Sequence, residues 1–428
     1  MIPRAELMAI ANEKSLRPDV VEKDYALGWI LAGISAHPAL RDEWAFKGGT
    51  CLKKCYFETY RFSEDLDFTL RDAKHLDVTF LHTVFSEISE WVYDQAGIEM
   101  PVEQQTFEII NNPRGNPACQ GKVAYKGPIS PRSLPRVKLD LTADERIVMP
   151  PVRAAVYHPY SDVPPDGIDV LTYTYEEAFG EKVRALAERT RPRDLYDVIN
   201  LFRNDANLPD PAVLRDVIAQ KCDFKGIPFP ALELIQAHRD ELAGSWGAML
   251  GHQLPTLPDL EAFLGGLPEF FSWLEGERRP EALQAYPHQA GAMLIRERTL
   301  PAAVPQRARP ALEIIRFAAA NRLCVDLTYR PEDGGISTRR IEPYSLRQSQ
   351  AGDVLLMAVR RDNGQPRSYR TDRIINASVT NETFKPRYEI ELFQHEPRSS
   401  ALDHFSLPFS EQALEEPRER TVKASGPS

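Results

Sequence analysis

Along residues 19–35, DVVEKDYALGWILAGIS, the apolar positions Val20, Tyr25, Leu27, Ile30, Leu31 and Ile34 recur at helical spacing. Pro18 ahead of them suits a helix start, so an amphipathic helix is predicted. WAFKGGT then reads as a short strand entering a glycine turn, and CLKKCYFETY, with Cys51, Leu52, Cys55 and Tyr56 three and four apart, as the helix that follows. In RFSEDLDFTL the period changes. Leu66, Phe68 and Leu70 alternate with Asp65, Asp67 and Thr69, which predicts a half-buried strand with both aspartates on its polar face. A helix is predicted over 76–96 and strands over 100–140, interrupted by GPISPRSLP. The last of these, RVKLDLT, sets Val137, Leu139 and Leu141 against Lys138, Asp140 and Thr142.

MPPVRAAVYHPYSDVPPDG is predicted to be turn-rich. YTYEEAFGEKVRALAERT and DLYDVINLFRND read as successive helices, with Pro192 suited to the first turn of the second. These segments compose a core over residues 1–205. Residues 206–300 continue as a helical extension broken by LPDP and HQLPTLPDL, and PAAVPQRARP at 301–310 reads as a linker. Beyond it one helix, ALEIIRFAAANR, precedes short alternating runs (CVDLTY, RRIEPYSLR, VLLMAVR, RSYRTDRI, YEIELF), so 311–395 is predicted to be a small β-rich domain. The polar remainder, 396–428, is expected to be disordered.

At 428 residues the chain is too long for one ordinary domain, and 43% hydrophobic with 27% charged residues excludes a wholly disordered protein. The net charge of −10 argues against non-specific coating of nucleic acid and leaves room for a local basic groove. The acidity is uneven: residues 1–300 hold 33 basic and 45 acidic residues, residues 301–428 hold 19 and 17. With no run near 20 apolar residues and no signal-peptide pattern at the start, a soluble, cytoplasmic protein without membrane contact is expected. Five scattered cysteines without CxxC pairs speak against a disulfide framework or structural zinc. The 35 prolines are in excess and mark joints between units. No histidine has metal spacing, and GxSxG, P-loop and GxGxxG motifs are absent.

The chemistry concentrates in KGGT and SEDLDF. Asp65 and Asp67, about 6–7 Å apart along one strand face, can both ligate a divalent cation; Mg²⁺, with Mn²⁺ as a substitute, prefers such hard oxygen donors. Gly48 and Gly49, followed by Thr50, let backbone approach a phosphate, with Ser63 nearby in sequence. Asp140 on the second alternating strand can complete the set or deprotonate an attacking hydroxyl. Lys182 and Arg189, seven apart, flank the helical stripe Phe179, Val183, Leu186 and can meet a triphosphate and its leaving pyrophosphate. The bland alternatives are a solvated strand face for the aspartate pair, a turn cap for Asp140, and an ordinary exposed lysine at 182. Against the last, the neighbours of Lys182 three and four residues away are Ala178, Phe179, Ala185 and Leu186, so no salt bridge within the helix explains it. Asp194 and Asp197 have a structural competitor: both sit in a first turn, and Arg193 with Asp197 is an i,i+4 pair.

FKGGTCLKKCYFETYRFSEDLDF, with VEKDYALGWIL before it and EEAFGEKVRALAERTRPRDLYDVINL after it, resembles the AbiEii/AbiGii nucleotidyltransferase toxins, a group that includes the mycobacterial MenT-type enzymes. The resemblance spans residues 18–203. It implies an α+β chain with a polymerase-β-type nucleotidyltransferase core, a mixed sheet with flanking helices. It also implies a magnesium-dependent toxin of a toxin–antitoxin or phage-defence system, adding nucleotides from an NTP to an RNA acceptor, typically tRNA, and neutralised by an AbiEi-like antitoxin. The family's motifs fall on Gly48, Gly49, Ser63, Asp65 and Asp67, on Asp140, on Lys182, and on Arg193, Asp194 and Asp197; Thr50 and Arg189 are added to the nucleotide-binding set. The C-terminal unit resembles a WYL domain, implying a small SH3-like β-barrel in which Val354, Leu355 and Leu356 stand at the naming tripeptide. Arg340, Arg370 and Arg373 there suggest an anionic-ligand or nucleic-acid surface. Two further readings stay open: transfer to a protein hydroxyl, and a ligand-responsive regulator whose enzyme half is a scaffold.

Overall fold

A computed structural model describes residues 1–57, 61–129, 133–204, 207–277, 283–287, 292–295 and 300–392. Two helices, α1 (Arg4–Glu13) and α2 (Pro18–Ala36), lead into β1 (Trp44–Lys47) and α3 (Gly48–Cys51), which runs on as a π-helical turn through Tyr56. There follow β2 (Asp65–Leu70), α4 (Val78–Ala96), β3 (Thr106–Asn111), β4 (Pro117–Ala124), β5 (Arg136–Thr142), β6 (Val152–Ala155) and β7 (Asp169–Thr172). These strands form a seven-stranded mixed sheet in the order β3-β4-β5-β2-β1-β7-β6. Within it β2 runs parallel to β5 and β1 parallel to β7, while β1 is antiparallel to β2.

The alternation in RVKLDLT is kept: Val137, Leu139 and Leu141 are buried, while Arg136 and Lys138 are exposed. The helix predicted at 19–35 forms, but it is not amphipathic in its setting. From Tyr25 to Ser35 every residue is buried, because α2 lies between α4 and the sheet. The stretch expected to be turn-rich contains β6 and is followed directly by β7, each only four residues long and stabilised by pairing with its neighbour despite the nearby prolines.

Five helices complete the first unit's far side: α5 (Tyr175–Arg189), α6 (Pro192–Phe202), α7 (Pro211–Lys225), α8 (Leu232–Gln236) and α9 (Arg239–Leu250), with α10 (Leu260–Leu264) and α11 (Leu267–Leu274) after them. Thr174 caps α5 by accepting from the Glu177 N–H, and Pro192 occupies the first turn of α6. Phe179, Phe202, Phe270 and Trp273 pack against one another and hold α5, α6 and α11 together.

The helical run ends at Leu274. The two-residue β8 (Met293–Leu294) joins the C-terminal sheet, pairing with the end of β10. That sheet comprises β9 (Leu323–Tyr329), β10 (Ser337–Gln348), β11 (Val354–Arg360), β12 (Pro366–Arg370) and β13 (Ile374–Thr383) in the order β12-β11-β10-β9-β13, with α12 (Arg309–Ala320) packed on β9, β10 and β13. Among the described residues the strand order does not close. The expected barrel is therefore an open antiparallel sheet with a helix on it, its edge strands β12 and β13 unpaired with each other. Of the expected strand YEIELF, Tyr388 makes one bridge, to Gln284. At the expected linker, 301–310, Val304 and Ala308 are buried, as is Leu300 just before it, and Arg309 pairs with Glu13 at 3.2 Å. The expectation of a disordered tail over 396–428 lies outside the described residues. No described helix is long and apolar enough to cross a membrane.

Candidate active site

In the parallel pair β2 and β5, Asp65 stands opposite Lys138 and Asp67 opposite Asp140. Leu66, Phe68, Leu139 and Leu141 are buried in the core, so the three carboxylates share the sheet's other face. The register extends both ways: Lys47 of β1 is opposite Asp67, Gln120 of β4 is opposite Asp140, and Lys122 is opposite Lys138. One row across the sheet thus reads Lys47, Asp67, Asp140, Gln120, and the next Asp65, Lys138, Lys122.

The carboxylates strain one another electrostatically. Burial pushes the Asp67 pKa up to about 6, with Asp140 and Asp65 adding to the rise while Lys47 and Lys182 oppose it. Burial and Asp65 likewise raise Asp140. No three His, Cys, Asp or Glu side chains converge as a ready-made metal cage among the described residues. The donor chemistry nonetheless fits Mg²⁺, which keeps several waters and takes one or two carboxylates rather than a closed protein shell. A divalent cation beside Asp67 and Asp140 relieves the charge that raises their pKa values.

Gly48 has φ +82°, and a Cβ there would stand 2.2 Å from the Asp67 Oδ2. Both the left-handed backbone and the missing side chain are needed for the chain to pass over the carboxylate. Gly48→Ala is expected to cost about 1–2 kcal/mol from backbone conformation alone and to displace Asp67, so that activity falls; thermal melts and initial rates of the variant check this. The Gly49 α-carbon faces Arg61 and Ser63: an added Cβ would lie 2.8 Å from the Arg61 Nη2 and 3.1 Å from the Ser63 Oγ. Thr50 is committed inward, its hydroxyl donating to the Asp65 carbonyl at 2.6 Å.

The opposite wall is an ion cluster. Asp197 in α6 is fully buried and accepts from the Arg61 Nε and Nη2 at 2.7 and 2.8 Å, with the Lys182 Nζ at 2.7 Å. Burial works to raise its pKa, but Arg61 and Lys182 outweigh it and hold the group at about 2. The acid that explains Lys182 therefore comes from the next helix. The i,i+4 pair of Arg193 with Asp197 does not form; Arg193 donates to the Met249 carbonyl at 3.4 Å. Asp194 is buried and held by Arg189 at 2.7 and 2.9 Å, which turns Arg189 toward α6. Arg61, absent from the sequence-based set, also donates to the Gln253 Oε1 at 3.0 Å. Strand periodicity does not reach it, since Arg61 and Ser63 precede β2; what brings both to the site is their approach to Gly49.

Ser63, Asp65, Asp67, Asp140, Gly48, Gly49 and Lys182 thus surround one region, while Thr50, Arg189, Arg193 and Asp194 are engaged in holding its walls. On the C-terminal sheet Arg340 pairs with Asp326 and Glu382, Arg370 with Asp353 and Asp372, and Arg373 with Glu332, so the expected basic surface is charge-compensated.

Residues 29–276 match the family described as nucleotidyl transferase AbiEii toxin, type IV toxin–antitoxin system, and residues 310–379 match the WYL domain. Among solved structures, MenT4, a nucleotidyltransferase toxin from Mycobacterium tuberculosis H37Rv, is similar at 19% identity, covering 64% of this chain and 90% of its own, with TM-score 0.40. Proteasome accessory factor B/C of Arthrobacter aurescens is similar at 18% identity over 49% of this chain and 32% of its own, with TM-score 0.17. No curated protein matches the chain.

Proposed function

Since this chain belongs to the AbiEii nucleotidyltransferase toxin family, we propose that it transfers a nucleotide from an NTP to the 3′ end of an RNA acceptor, a tRNA, in a magnesium-dependent reaction. The observation that carries this reading is the carboxylate triad in register on two parallel strands, flanked by a glycine turn on one side and a buried lysine on the other.

Asp65, Asp67 and Asp140 are the residues that would hold Mg²⁺, which when bound neutralises phosphate charge and polarises the α-phosphate. The backbone at Gly48 and Gly49, with Ser63, seats the triphosphate. Asp140, whose proton affinity is raised by burial, takes the proton of the attacking hydroxyl. As the new oxygen–phosphorus bond forms, the bond to pyrophosphate breaks, and Lys182 with Arg61 supplies positive charge toward the leaving group. Asp197 keeps both cations aimed. Control by an AbiEi-like antitoxin follows from the same family reading.

The test is incubation with each of four labelled NTPs and separate pools of tRNA, other RNA and protein. Label is expected on tRNA 3′ ends, with one NTP preferred, and 3′-end sequencing after induced expression is expected to show the same addition. Label on protein alone overturns the RNA acceptor.

A further inference from the structure

The surface beside the carboxylates carries a basic strip in a chain of net charge −10. Lys122 on β4 and Arg136 and Lys138 on β5 are all exposed, and none has an ion-pair partner among the described residues. Some exposed cations elsewhere are matched, as Lys126 is by Glu99 and Arg239 by Glu261, and others, such as Lys74 and Lys385, stand without an ion pair among the described residues, so it is the cross-strand arrangement that sets this strip apart. Lys122 and Lys138 stand directly opposite one another across the antiparallel pair. Like charges in that position cost stability unless an anion lies over them. A need for solubility explains exposed lysines but not two set face to face.

Position narrows the anion. Lys138 is in register with Asp65, and Lys122 one strand further out, so the strip begins at the carboxylates and leads away across β5 and β4. The sheet order β4-β5-β2-β1 puts the glycine turn, which follows β1, on the other side of the carboxylates. The seat for the triphosphate and the basic strip therefore flank the reacting centre from opposite sides. In-line displacement needs donor and acceptor disposed in this way. The charges extend over about 7 Å along β5 and about 5 Å across to β4, a span suited to successive backbone phosphates rather than to one small anion.

We propose that Lys122, Arg136 and Lys138 form the track that binds the phosphate backbone of the RNA acceptor next to its reacting end, an assignment that rests on the transferase reading above. Lys138 also lowers the pKa of its neighbour Asp140, so the test leaves it in place.

Full-length wild type and Lys122→Gln/Arg136→Gln are titrated with a fluorescently labelled 20-nucleotide single-stranded RNA at several salt concentrations, and with NTP in the absence of RNA. The double variant is expected to bind RNA more weakly, with the slope of log affinity against log salt reduced by about 1.4, two lost contacts at about 0.7 each. Its NTP affinity is expected to be unchanged and its melting temperature no lower, since a like-charge contact has been removed. Lys122→Glu, which can pair with Lys138, is expected to melt higher and bind RNA more weakly still. Arg239→Gln/Arg360→Gln, losing the same charge on α9 and on the C-terminal sheet, is expected to keep the wild-type slope. Unchanged RNA affinity and slope in Lys122→Gln/Arg136→Gln overturns the track, and if that variant still labels RNA the transferase reading stands. Wild type that binds no RNA and labels only protein overturns both.

Discussion

Replacing Asp67 with asparagine is expected to reduce nucleotide transfer by roughly 100-fold or more while making the metal-free protein more stable. The two effects share a cause. Burial, with the Asp140 and Asp65 charges, lifts the Asp67 pKa to about 6, above the usual carboxylate value of 3.8. Between these values the unfolded chain has already released a proton that the folded protein retains, so folding stability declines as pH rises through this window, and the full penalty is present above it. Asparagine keeps the shape and carries no charge. In EDTA, the gain from Asp67→Asn is expected to be near zero below pH 4 and to reach on the order of 3 kcal/mol above pH 6. Thermal melts from pH 4 to 8 measure it. Excess Mg²⁺ is expected to stabilise wild type more than the variant; an equal melting shift counts against Asp67 as a ligand.

Asp197→Ala is expected to act in the opposite direction on stability. It leaves Arg61 and Lys182 buried without their shared carboxylate, a loss of about 3–5 kcal/mol. Transfer is lost with it, because both cations lose their aim. Asp194→Ala serves as the comparison: its partner Arg189 is 45% exposed, so solvent can take over the freed charge, and a cost of about 1–2 kcal/mol is expected. Denaturant unfolding of the two variants separates acids that sit three residues apart on one helix. Equal costs would mean that the buried cluster around Asp197 is not the stronger bond.

The strands that carry the carboxylates were legible because their sequences alternate cleanly, and period two in RFSEDLDF and RVKLDLT defines which face each aspartate takes. That β2 and β5 lie side by side was not legible: parallel neighbours 73 residues apart are chosen by packing, and only their register puts Asp67 opposite Asp140. The Lys182 position was recognised from the absence of a nearby acid, yet its partner required the angle between α5 and α6. Arg61 was missed because the acid it meets is 136 residues away. In the C-terminal unit the first four alternating runs contain strands while YEIELF makes only a single bridge at Tyr388, and the pattern could not say whether the sheet's edges meet. The short β6 and β7 were hidden by prolines, since four-residue strands draw their stability from neighbours rather than from their own pattern.

The Arg61 side chain has a consequence for the order in which the enzyme comes into being. It meets Asp197 in α6 and Gln253, 192 residues downstream, while the Phe62 N–H donates to the Gln253 carbonyl. All three sheet carboxylates have been made by residue 140, while Asp197, which anchors both cations, follows 57 residues later and Gln253 follows 113 later. At synthesis rates of about 5–20 residues per second, a growing chain spends several seconds or more with its acids in hand and its cations unanchored. On the proposed reading, a chain terminated before Asp197 is expected to be inactive although all three of its carboxylates are already made.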